Sequence, residues 1–164
     1  MKTRQRGVAV VELGFTLCLL LAIAFAVTEF GRAIYTYNTL AKAARDASRY
    51  LTTQPAGDAT AQATAQNLAV FGQPVVDKKT AVPLVPGLKV SMVSICDASN
   101  SACTGNIKQG SNPAISTVTV TISGYKFDPV LDLLGFLRFY TGGSATLTSL
   151  PFGNISVTMR QIYE

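Results

Sequence analysis

The feature that most constrains this chain is an apolar stretch at residues 8–28 that contains one charged residue, Glu12. As an α-helix, these 21 residues would extend about 31 Å, which matches the hydrocarbon core of a bilayer. A removed signal peptide has a shorter apolar region that ends in a small-residue cleavage site. Because this stretch is longer and continues into helix-like sequence, we predict a retained transmembrane helix at residues 8–28.

Three positive charges, on Lys2, Arg4 and Arg6, precede the apolar stretch. Positive residues beside a span stay on the cytoplasmic side. Residues 1–7 are therefore predicted to be a cytoplasmic basic leader, with the bulk of the chain across the membrane. Without these charges, 11 of the 14 basic residues remain against 9 acidic ones. Such a balance provides no basic surface of the kind that binds nucleic acid, so no nucleic-acid partner is expected.

The apolar periodicity continues beyond the span, with steps of three and four residues. The positions concerned are Phe30, Ala33, Ile34, Tyr37, Leu40, Ala41, Ala44, Ala47 and Leu51. Neither Pro nor Gly occurs in residues 32–54, and Pro55 ends the pattern. We predict one helix from about Val8 to Thr52, in which residues 29–54 form an amphipathic stem. The stem either packs only on its own domain or also contacts neighbouring subunits, and the periodicity fits both interpretations.

Residues 55–164 are predicted to form one domain outside the membrane, with a short helix followed by strands. Asp58 and Gly72 are typical start and stop residues for a helix at Ala59–Phe71. Alternating apolar and polar residues predict strands at 88–92, 115–127 and 155–159, and a fourth short strand at 144–150. The predicted fold is α+β: a long N-terminal helix packed on a small antiparallel sheet with one buried face.

Residues 129–140 lie between predicted strands and are apolar on nearly every side of a helix. Asp128 is a suitable N-cap and Pro129 suits the first helical position. The segment is predicted to be a helix. Its place is open between the protein core, the membrane surface and a partner protein.

Gly7 ends the basic leader, and Glu12 follows five positions later inside the apolar stretch. Acids within a membrane are costly and usually functional, although a Glu near the helix end can also extend to the cytoplasmic interface. The pattern resembles the processing site of type IV pilins and pseudopilins, where a prepilin peptidase cuts after the Gly. The resemblance implies removal of residues 1–7 and a new ammonium group on Val8. That group can pair with Glu12 of the same or a neighbouring subunit.

The wider sequence of about residues 4–51 resembles the TadE-like family. The similarity lies in the Gly-x-x-x-x-Glu start, in Glu29-Phe30-Gly31-Arg32, and in Ala43-Ala44-Arg45 leading to Arg49-Tyr50. The major pilins of this system usually have an aromatic residue at the position of Leu13, and type II secretion pseudopilins usually begin with Phe where this chain has Val8. These differences favour a minor component.

The resemblance implies a minor pilin or pseudopilin that assists assembly of a tight-adherence (Flp, type IVb) pilus. It implies a location in the bacterial inner membrane, with the C-terminal domain in the periplasm. The implied partners are the lipid bilayer, prepilin peptidase, other pilin or pseudopilin subunits and Tad assembly proteins.

Two residue pairs outside the leader are candidates for a structural role. Cys96 and Cys103 bracket a polar loop, and an oxidising compartment favours a disulfide between them. Cys18, inside the span, has no partner in this interpretation. Glu29 and Arg32 are three residues apart at the expected outer end of the span. Their predicted ion pair anchors the helix end or contacts another subunit.

The chain has no His, no phosphate-binding Gly-Lys motif and no metal-ligand spacing, and its carboxylates are scattered. We therefore expect a protein that is not an enzyme, with no cofactor and no metal. Two other functions stay open. One is an unprocessed single-pass membrane anchor with a periplasmic binding or adhesion domain. The other is a membrane-tethered enzyme, which would require a catalytic cluster on the sheet.

Overall fold

A computed structural model describes residues 6–77, 81–100, 103, 115–130 and 149–162. Two α-helices, a 3-10 turn and five strands occur in these residues. In chain order they are α1 (Arg6–Leu51), α2 (Ala59–Phe71), the 3-10 turn (Val90–Met92), β1 (Val93–Cys96), β2 (Thr117–Ile122), β3 (Lys126–Phe127), β4 (Leu150–Pro151) and β5 (Ile155–Arg160). The predicted α+β class, with a long N-terminal helix and a small antiparallel sheet, is confirmed.

The chain divides into two compact units. The first consists of Met1–Ile34 and Asp128–Leu150, and the second of Tyr35–Phe127 and Pro151–Glu164. Helix α1 contributes to both, because it continues without a break for 46 residues. Its C-terminal end agrees with the predicted one to within a residue.

In the second unit, α1 packs through a face of small and aliphatic residues. Leu40, Ala44 and Ala47 are completely buried there. Ser48, on the same face, donates a hydrogen bond from its hydroxyl to the Val157 carbonyl of β5 at 3.2 Å. The residues at the predicted apolar positions Phe30, Ile34 and Tyr37 are instead exposed. The fully buried part of the stem therefore begins at Leu40.

Helix α2 has the bounds and caps that the sequence predicts. The Asp58 carboxylate accepts a hydrogen bond from the Thr60 N–H at 2.8 Å, which satisfies a free donor of the first turn. Gly72 ends the helix with φ of 70°, a left-handed conformation that favours glycine. The buried face of α2 consists of Ala61, Ala65, Ala69 and Val70. These small side chains permit close packing in the second unit.

The larger sheet has the strand order β1-β2-β5, and both strand pairs are antiparallel. Val118, Val120 and Ile122 of β2 are at most 1% exposed, as the alternation predicted. Burial of each such side chain contributes about 1.5–3 kcal/mol. The opposite face is polar, and the hydroxyl groups of Thr119 and Thr158 form a cross-strand hydrogen bond of 2.8 Å.

The strand predicted at 88–92 is wrong over its whole length. The Met92 N–H donates to the Lys89 carbonyl at 3.0 Å, which closes a 3-10 turn, and β1 begins only at Val93. Three alternating apolar residues did not fix an extended backbone, because this local hydrogen bond satisfies the chain equally well. The strand predicted at 115–127 is divided at Gly124, whose φ is 72°.

A small aromatic cluster surrounds Phe152 in the second unit. The Phe152 ring lies 5.9 Å from Tyr37, 5.6 Å from Tyr125 and 5.8 Å from Phe127, measured between centroids. The Phe152 N–H also donates to the Tyr125 carbonyl at 3.0 Å. Strands β3 and β4 form the second, two-stranded sheet. The cluster fixes the chain segment that leads into β5.

In the first unit, the structure describes the apolar half of α1 and short segments at 128–130 and 149–150. The helix predicted at 129–140 lies outside the described residues after Val130. Residues 144–148 of the fourth predicted strand also lie outside the described residues. Of the predicted range 144–150, Leu150 is the one described residue that belongs to a strand, β4.

Candidate assembly site on the N-terminal helix

The apolar half of α1 presents its side chains outward. The large apolar residues from Val8 to Val27 are 44–70% exposed. Among the described residues, α1 is the one helix long and apolar enough to cross a membrane. Exposure of these side chains to water costs a free energy of about 25 cal/mol for each Å² of apolar surface. A bilayer removes that cost, so this part of the helix is suited to lipid.

Gly7 and Glu12 both lie in the first turns of α1. A side chain at Gly7 would meet no other atom within 4 Å, so packing does not require a glycine there. Glu12 is exposed, and no hydrogen bond or ion pair of its carboxylate occurs among the described residues. Residues four apart on a helix lie on one face. A new N-terminus at Val8 would therefore lie one turn from the Glu12 carboxylate.

The leader charges are only partly within the described structure. Arg6 is the first residue of α1, and only its backbone is described. Lys2 and Arg4 lie outside the described residues. Their predicted role in fixing the orientation of the span stays a prediction.

Glu29 and Arg32 form an ion pair with 3.0 Å between Oε1 and Nη1. The pair also contacts the backbone of residues 128–130 in the same unit. The second guanidinium nitrogen of Arg32 donates to the Asp128 carbonyl at 3.2 Å, and Glu29 Oε1 accepts from the Val130 N–H at 2.9 Å. The sequence showed the local spacing of this pair. It gave no signal for partners about a hundred residues away.

Cys96, at the end of β1, is joined to Cys103 by a disulfide with 5.6 Å between the Cα atoms. The adjacent residue Asp97 is 4% exposed, and its carboxylate accepts four hydrogen bonds. The donors are the Gly57 N–H, the Gln62 side-chain amide, the Ser99 N–H and the Ser99 hydroxyl. The disulfide loop is thereby joined to the turn before α2.

Burial opposes ionisation of Asp97 and by itself would raise its pKa. The hydrogen bonds from Ser99, Gly57 and Gln62 outweigh burial, so the pKa of Asp97 lies below its ordinary value. This site was not predicted from the sequence. The spacing of Asp97 and Ser99 is typical of an Asx turn and was the one local signal for it.

Cys18 is a free thiol on the exposed apolar part of α1. Within the described ranges, His, Cys, Asp and Glu side chains do not come together in a group of three or more that could hold a metal ion. The apolar half of α1 is thus suited to lipid and has one acid, Glu12, near its start. In the second unit, a disulfide and the hydrogen-bonded Asp97 carboxylate hold the loop after β1.

These features define a membrane-anchored α+β protein with a pilin-like N-terminal helix. The comparison with known families agrees: a model of the TadE-like protein family matches residues 7–49. The predicted resemblance is therefore confirmed for this part of the chain, and it associates the protein with the Tad pilus system. No curated protein and no solved structure gives a match.

Proposed function

We propose that this chain is a minor pilin or pseudopilin that assists assembly of a tight-adherence pilus and is not an enzyme. The supporting observation is that the family match coincides with α1, whose apolar half has exposed side chains and one acid. Such a helix can pass from lipid into a bundle of like helices, because both environments bury its apolar surface.

Glu12 has a specific part in this proposal. Removal of the leader after Gly7 by a prepilin peptidase leaves a positive N-terminus on Val8. In a medium of low dielectric constant, a carboxylate attracts that charge strongly, and the attraction weakens as the two groups move apart. An ammonium group on one subunit and Glu12 on its neighbour would therefore fix the axial stagger between adjacent helices.

The topology in this proposal has the leader in the cytoplasm and the second unit in the periplasm. The Cys96–Cys103 disulfide supports it, because such bonds persist in oxidising compartments. The proposed partners are the peptidase, other pilin or pseudopilin subunits and the Tad assembly proteins. The family match associates the chain with that system in general terms.

The test is a count of surface pili on cells that produce the Glu12→Gln variant in place of the natural chain. This substitution removes the charge of Glu12 and keeps the shape of its side chain. It should reduce the number of surface pili, while the amount of the protein in the membrane stays unchanged. The matched control is Asp46→Asn, which alters an exposed acid of α1 beyond the span. Normal piliation after deletion of the whole protein would contradict the proposed function. Normal piliation of Glu12→Gln alone would remove the role given to this acid.

A further inference from the structure

The Glu29–Arg32 pair holds a remote segment of the chain against α1. We call residues Glu29, Arg32, Asp128 and Val130 the interfacial clamp. Glu29 is only 15% exposed although it is charged, while Val130, an apolar residue, is 77% exposed. The covered carboxylate is paired with Arg32 and accepts from the Val130 N–H, so its burial is compensated. The exposed Val130 side chain would gain free energy if lipid covered it.

The clamp satisfies two backbone groups of the segment that it holds. The Val130 N–H donates to Glu29, and the Asp128 carbonyl accepts from Arg32. Pro129, between them, has no N–H to satisfy. Irregular backbone is excluded from the apolar part of a membrane mainly by unpaired N–H and C=O groups. Pairing of these two groups with side chains of α1 lowers the cost of placing residues 128–130 at the edge of the hydrocarbon.

The clamp also lies at a defined level along α1. Glu29 directly follows the predicted span of residues 8–28, and one residue adds about 1.5 Å along a helix. If the span fills the hydrocarbon core, the clamp lies where hydrocarbon meets the head groups. Val27, Phe30 and Ile34 form an exposed apolar stripe on α1 that passes through this level. The lipid-facing surface of the span therefore continues past the clamp.

We propose that residues 128–130, held by the interfacial clamp, make a second contact with the membrane at the outer end of the span. The occupant of this surface is the boundary between acyl chains and head groups. The proposal depends on the membrane span and is independent of pilus assembly, since an unprocessed anchor would make the same contact.

The experiment measures the depth of position 130 in a bilayer. In the full chain, Cys18 is replaced by Ala and Val130 by Cys. A fluorescent label is attached to the new cysteine, while the Cys96–Cys103 disulfide stays oxidised. In lipid nanodiscs with one chain per disc, the label should be shielded from aqueous iodide nearly as well as a label at Val27→Cys. Glu29→Ala and Arg32→Ala should each increase iodide quenching at position 130 several-fold. Arg45→Ala, which removes an exposed charge of α1 outside the clamp, should leave the quenching unchanged.

Three results would overturn the proposal. The label at position 130 could be quenched as strongly in the natural background as in the denatured chain. It could be equally shielded in both clamp variants, which would show that the clamp does not place it. It could also be shielded only in vesicles that contain many chains and lose its shielding in single-chain discs, which would identify a second copy as the occupant. The label at Val27→Cys checks in each case that the span is inserted.

Discussion

The backbone N–H of Gly57 donates a hydrogen bond of 2.9 Å to the carboxylate of Asp97, 40 residues further along the chain. This bond joins the turn before α2 to the loop that the Cys96–Cys103 disulfide closes. The same carboxylate accepts from Gln62 and Ser99. Asp97 therefore connects its own loop to the turn before α2 and to the first turns of α2, which are remote in sequence.

Asp97→Asn should destabilise the second unit by about 1–3 kcal/mol, because an amide nitrogen would face groups that are themselves donors. The measurement is urea unfolding of the full chain in detergent, followed by tyrosine fluorescence. Asp46→Asn is the matched control, since Asp46 is exposed. We expect it to change the free energy of unfolding by no more than about 0.5 kcal/mol. Equal effects of the two substitutions would contradict the role given to Asp97.

Asp97 also predicts a pH dependence. Its pKa is lower in the folded chain than its ordinary value, so the folded state favours the ionised form. The resulting stabilisation is complete above the unfolded pKa of about 3.9 and is lost as the pH falls through the folded pKa. Asp97→Asn should therefore flatten the acid limb of the profile of unfolding free energy against pH, relative to the natural chain. An unchanged acid limb in Asp97→Asn would exclude this contribution.

Gly57→Ala should be more destabilising than Gly87→Ala. Both glycines have positive φ, 82° and 83°, so both substitutions incur a similar backbone cost of about 1–2 kcal/mol. At Gly57 an added Cβ would also lie 2.9 Å from the Ser99 hydroxyl oxygen, whereas at Gly87 it meets nothing within 4 Å. The difference between the two unfolding free energies isolates the contact with Ser99. No difference would show that Ser99 moves aside without cost.

Ala47→Leu should loosen the packing of α1 in the second unit. Ala47 is completely buried, and a larger side chain in a packed core costs about 1–3 kcal/mol. Ala63→Leu on α2 is the matched control, because Ala63 is exposed. Amide hydrogen exchange of β2 and β5 would detect the loss of packing as faster exchange in Ala47→Leu alone. Unchanged exchange there would mean that the α1 face tolerates the added volume.

Much of the fold follows from local patterns in the sequence. The helices α1 and α2 were predictable because helix periodicity and caps act within a few residues, as at Asp58 and Gly72. The alternation in β2 and β5 was likewise visible, since each strand has one buried face. The turn at Val90–Met92 was not predicted, because a short alternating run suits both a strand and a 3-10 turn.

The long-range parts of the candidate sites could not be predicted in this way. Glu29 and Arg32 were identified from their spacing, but their bonds to Asp128 and Val130 depend on how distant segments meet. The same holds for Asp97 with Gly57, and for Phe152 with its three aromatic neighbours. Periodicity reports which face of an element is buried. It does not report which remote residue covers that face.

Thiol counting tests the disulfide and the compartment together. In protein extracted from membranes and denatured without reductant, we expect one alkylated cysteine, Cys18, and after reduction we expect three. Loss of the disulfide should lower the stability of the second unit by about 2–3 kcal/mol. Three adducts before reduction would show that the loop is reduced in the cell. That result would contradict an oxidising location for the second unit.

The most direct test of the central claim is the N-terminus of the protein extracted from membranes, determined by intact mass and N-terminal sequencing. The account predicts a mature chain that begins at Val8 in cells with an active prepilin peptidase, and an intact leader in cells without it. Gly7→Leu should block the cut, while Gly14→Leu should not, and neither side chain meets an atom within 4 Å of its Cβ. A natural chain that keeps residues 1–7 in peptidase-positive cells would contradict processing and favour the unprocessed anchor.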